Sequence, residues 1–99
     1  MGGESREKKS SRPAMLTPHL RAELRDLLAG AWDAWTTPSE HGPERSARLL
    51  EGGHARIVHA KRAGESQPSL WALLAEIRPE ARAQEFDAML THFEEWSGR

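Results

Sequence analysis

The sequence has no cysteine, no tyrosine, only two phenylalanines, and nothing resembling a long apolar run. Without Cys there are no disulfides, thiolate metal sites or Cys nucleophiles. No stretch approaches the roughly 18–20 apolar residues of a membrane span. Met1 to Pro13 is polar, so no secretory hydrophobic region is expected there and the expected location is the cytoplasm. Phosphate-cradling loops are missing as well, because Gly2-Gly3 and Gly52-Gly53 are isolated pairs. Charge of one sign is lacking too: fourteen Lys and Arg against fifteen Asp and Glu leave −1. At 99 residues the chain fits one domain, with little material for a desolvated catalytic pocket. Frequent Ala and Arg with few Lys lead to the expectation of a GC-rich bacterial source, which weighs little on function.

What is present organises itself into a tail and a helical domain. Residues 1–14 hold Gly, Ser, four basic and two acidic residues and no apolar anchor between Met1 and Pro13. Such a segment cannot bury enough surface to offset about 1–2 kcal/mol of backbone entropy per residue, so a disordered tail is expected. Residues 15–99 read as a single all-α domain, a compact bundle of about four helices. The first spans 17–36: Thr17 caps it, Pro18 opens it, and Leu20, Leu24, Leu27, Leu28, Ala31, Trp32 and Trp35 form one stripe. The second spans 43–63, bent or broken at Gly52-Gly53, since two interior glycines cost about 2 kcal/mol relative to alanines. A strand over 55–58 is a weaker option, because nothing nearby could pair with it. The third spans 69–78, capped by Ser69 and apolar almost all round. The fourth spans 79–97, opened by Pro79, with Ala83, Phe86, Met89, Leu90, Phe93 and Trp96 as its stripe. The expected centre of the core is Leu24, Leu28, Trp32, Leu73, Leu74, Phe86, Leu90 and Phe93.

The chemistry-bearing residues do not assemble into a catalytic pattern. His54 and His59 are five apart, about 140° around a helix, and cannot share an ion. Glu51-Gly52-Gly53-His54 has the Glu-x-x-His spacing of di-iron bundles, but those need two such motifs and further glutamates. His19 with Glu23, and His92 with Glu95, read as ordinary polar pairs at helical spacing. Gly64-Glu65-Ser66-Gln67-Pro68 lacks the second glycine and the preceding strand of a nucleophile elbow. Glu94 and Glu95 are adjacent and splay about 100° apart, which suits a solvated helix end better than a shared-proton dyad. The expectation is therefore no enzyme, no metal and no cofactor.

Two features point to binding. Arg45, Arg48, Arg56 and Arg62 could form a basic face for a nucleic-acid phosphate backbone. The overall balance is slightly acidic, however, and the helix-turn-helix spacing of 70–96 carries the wrong sign for a groove. Four tryptophans are the one compositional excess, and Trp35, Trp71 and Trp96 are the rings expected at a protein interface. Residues 43–65 carry +2, while 16–42 carry −2 and 66–99 carry −3. This polarity suits a protein surface, including a second copy of the same chain. The leading expectation is a small protein–protein interaction module, an adaptor, regulator or accessory subunit. A nucleic-acid-binding regulator using the 45–62 face is the alternative.

Overall fold

The computed structural model describes residues 16–98, so the expected disordered tail lies outside the described residues. Helix α1 runs Pro18–Thr36, and it starts as the sequence implies. Thr17 is extended, its hydroxyl accepts the Leu20 N–H at 3.1 Å, and Pro18 supplies a ready-made helical φ. The helix stops where Thr37 turns back on Asp33: its N–H and its hydroxyl both donate to the Asp33 carbonyl, at 3.1 and 2.6 Å.

The second segment is broken into two helices, α2 (Gly42–Gly52) and α3 (His54–Arg62). Gly53 is the junction, with φ −112° and ψ 15°, away from helical values. Its N–H reaches the Leu49 and Leu50 carbonyls, and its own carbonyl accepts from Arg56 and Ile57, so one helix ends and the next begins on a single residue. Gly53 is also buried, and a Cβ there would overlap the Leu27 side chain. Glycine at this position allows the junction to press against α1. The same holds at the other end of α2, where a Cβ on Gly42 would lie 2.6 Å from the Ala34 carbonyl oxygen.

Helix α4 (Gln67–Ile77) begins earlier than the sequence suggests. Ser66, not Ser69, is its cap. The Ser66 hydroxyl accepts from the Ser69 N–H at 3.3 Å, and the Ser69 hydroxyl accepts from the Ser66 N–H at 2.8 Å, a reciprocal capping box with Pro68 in the first turn. Helix α5 (Ala83–Ser97) begins later than expected, because Pro79 sits in a turn instead of opening it. The cause is tertiary. Ala81 is buried in the core, its N–H bonds the Arg78 carbonyl at 2.9 Å, and its carbonyl accepts the Trp71 indole N–H at 3.0 Å. These contacts hold residues 78–82 in a turn. Gly98, at φ 75°, supplies the left-handed residue that ends α5.

The five helices form an all-α compact bundle, with no strand among the described residues. Helix α1 packs on α2 and α4, α5 packs on α2 and α4, and these four close around a shared core. Helix α3 hangs on the α1–α2 edge and buries only Ile57 and Ala60. All eight residues expected at the centre of the core are buried, and Leu50, Leu70, Met89 and Ile57 join them.

Candidate functional site

The structure separates the three tryptophans expected at an interface. Trp71 is half-buried, and its indole N–H is committed to the Ala81 carbonyl just before α5. Trp96 lies near the opposite end of α5, about 20 Å away along the axis at 1.5 Å per residue, and is 41% exposed. Trp35 sits near the C-terminal end of α1, half-buried, with its ring 5.5 Å from that of His92. His92 precedes Trp96 by one helical turn on α5, so Trp35, His92 and Trp96 can contribute to one aromatic end, while Trp71 lies apart from them. The pairing of His92 with Glu95 is not formed. His92 is half-buried against Trp35, and its Nε2 is buried without a hydrogen-bond partner.

The arginines are divided as well. Because the chain breaks at Gly53, Arg45 and Arg48 lie on α2 and Arg56 and Arg62 on α3, rather than along one continuous helix. Arg48 is paired with Glu44 at 2.7 Å, and Arg56 with Glu23 of α1 at 3.3 Å. Arg45 and Arg62 are exposed. His41, Glu44, Arg45 and Arg48 outline a shallow depression at the start of α2.

Other ionic contacts brace α4 against α1. Arg25 meets Glu76 at 2.6 Å, and Arg78 grips Asp33 through Nε at 2.9 Å and a terminal nitrogen at 2.7 Å. The hydrogen bonds and charge of Arg78 hold the Asp33 carboxyl below its ordinary range, and the same contact raises the Arg78 guanidinium.

A narrow groove lies between α3 and α5, whose backbones stay apart. Ile57, Leu90 and Phe93 form its apolar floor, and His54, Lys61 and Glu94 form its walls. The His54 ring tilts against Phe93 at 5.6 Å and bridges the two helices. At about 100 Å³ the groove is below the roughly 300–1,000 Å³ of small-molecule sites and suits a side chain. Among the described residues, no group of three or more His, Asp or Glu converges on a point that could hold a metal. The histidines diverge: His19 pairs with Glu23 at 3.2 Å, as its spacing implies, His54 tilts against Phe93, and His92 against Trp35. No helix among the described residues is long and apolar enough to cross a membrane.

The groove is not legible in the sequence because it depends on the angle between α3 and the rest. One clue was available: α3 carries Arg56, Lys61 and Arg62 with no acid, and α5 carries Glu85, Asp87, Glu94 and Glu95 with no Lys or Arg. Compared with known proteins, the chain matches no family model, no curated protein and no solved structure.

Proposed function

We propose that this chain is a small helical protein–protein interaction module, an adaptor, regulator or accessory subunit, acting in the cytoplasm without catalysis of its own. The observation that carries this reading is the aromatic end, where Trp96 stands 41% exposed one turn from the Trp35–His92 ring pair. An indole left open beside further aromatic surface is the composition of an interface anchor, with a large apolar area and a polar N–H for orientation. Leu49 on α2, 41% exposed, and Ile77 on α4, 37% exposed, are separate single apolar residues of the kind found on most surfaces.

Nucleic-acid binding through Arg45, Arg48, Arg56 and Arg62 is the competing reading. It is disfavoured by the Glu44 and Glu23 partners of two of those arginines and by the break between the helices that carry them. Phosphate binding needs a concentrated positive field, which this arrangement dilutes.

The two readings separate in one experiment. The wild-type chain and its Trp96→Ala variant are used to capture partners from cells of its source, and retention on DNA is measured at low and moderate salt. The expected result is a stoichiometric protein partner lost from the Trp96→Ala variant, and weak retention on DNA. DNA binding with a steep salt slope, abolished by Arg48→Glu with Arg56→Glu, would overturn the interaction reading.

A further inference from the structure

The walls of the α3–α5 groove carry opposite charges that find no ionic partner among the described residues. Lys61 on α3 and Glu94 on α5 both line it, yet they form no ion pair with each other or with another described residue. The asymmetry extends along both helices, since α3 is wholly basic and α5 wholly acidic. Arg56 already has Glu23, but Arg62 is exposed beyond Lys61, and Glu95 beyond Glu94. Between the walls lies an apolar floor of Ile57, Leu90 and Phe93. Val58 is half-buried and lies four residues after His54 and three before Lys61, and so on their side of α3.

We propose that this groove seats a second copy of the chain, related by a two-fold axis that sets each Lys61 against the partner's Glu94. A two-fold axis that runs along the groove, in the plane of contact, turns the second copy to face the first and sets each wall over the opposite one. The basic α3 of one copy then faces the acidic α5 of the other, twice, by one operation. A foreign partner would have to carry its own matched pair at the same separation, whereas the chain already carries the complement of its own surface. The apolar floors of the two copies face each other, so the charges set register while the buried surface supplies affinity. The small size of the bundle favours such cover, since domains of this length bury only about 60–65% of the surface of their unfolded chains.

This inference rests on the reading of the chain as a protein-contact module and names one of its contacts, at a place distinct from the aromatic end. Its test is the mass in solution of the full chain, by light scattering or sedimentation over a wide concentration range. The wild type should pass from one chain of 11.1 kDa at dilution to twice that mass, and the dimer should weaken with salt. Lys61→Glu places Glu against Glu in both halves of the interface, and Glu94→Lys places Lys against Lys. Each alone should raise the dissociation constant about tenfold or more. An equimolar mixture of the two variants restores opposite charges at both contacts and should dimerise again. Both residues are on the surface, and helical content and a melting temperature matching those of the wild type at dilution would separate lost association from lost folding. A wild type that stays monomeric at all concentrations overturns the proposal. So does a dimer indifferent to both substitutions, or a mixture that fails to recover. A monomeric wild type that still captures a foreign protein through Trp96 would overturn the groove and leave the contact reading standing.

Discussion

Gly30, Gly42 and Gly53 show how differently one residue type acts in a single fold. Gly42 and Gly53 both sit where α2 presses on α1, but their neighbours differ in what they can yield. At Gly42 the obstacle is the Ala34 carbonyl, backbone that cannot move without disturbing α1. Gly42→Ala should therefore cost about 1–3 kcal/mol, the range of overpacking, read as a fall in melting temperature of several degrees. Gly53 meets only the flexible end of Leu27, so a substitution there can be accommodated more cheaply. Gly30 has open space at its Cβ position in the middle of α1. Gly30→Ala should stabilise the chain by about 0.5–1 kcal/mol through helix propensity alone. A thermal melt of both variants checks the contrast, and a Gly42→Ala variant as stable as the parent would show that α1 and α2 are not closely apposed.

At the scale of elements, legibility followed how local the deciding contacts are. Helix α1 was readable at its start because Thr17 and Pro18 act on their own turn, and its stripe points one way throughout. The stripes also identified the core, since 3.6-residue periodicity depends on local geometry alone. The break at Gly52-Gly53 was legible as a weakness, but not its place at Gly53, which is buried where a Cβ would meet the Leu27 side chain. The starts of α4 and α5 were misread for two different reasons. Ser66 and Ser69 are both good caps, and the choice depends on a reciprocal bond between them. At Pro79 a local preference for opening a helix yields to the burial of Ala81 and the Trp71 hydrogen bond. The same hydrogen bond commits the Trp71 indole N–H within the bundle, which composition alone could not reveal. Removing the Ser66 hydroxyl should cost about 1 kcal/mol, the usual loss at a helix cap. Ser66→Ala should thus lower the melting temperature by roughly 4–8 °C for a domain of this size. Ser69→Ala removes the other half of the box, and an unchanged melt in both variants would mean α4 is held by its packing alone.

For the whole molecule, the deciding question is what keeps α4 and α1 in register, because α4 closes the four-helix ring that α1, α2 and α5 leave open. Apolar burial supplies the attraction but little directional preference. The ionic contacts supply direction: Glu76 with Arg25 and Arg21, and Asp33 with Arg78, join residues 45 to 55 apart in the chain. Of these, the Asp33–Arg78 contact has a pH signature. Arg78 holds the Asp33 carboxyl below its ordinary value, so the folded form binds a proton less readily than the unfolded one. Its contribution is therefore fully present above the ordinary carboxylate range, and it is lost as pH falls through that range toward the depressed folded value. Both groups lie at the surface, so salt should shrink the effect. The wild type should lose stability between about pH 5 and pH 2 more steeply than Asp33→Asn, which has no carboxyl to titrate at this position. Melting temperatures taken across that window at low salt, and repeated at high salt, make the comparison. Parallel curves for the two proteins would show that Asp33 contributes nothing to the register of α4, and that burial of Leu70, Leu73 and Leu74 fixes it instead.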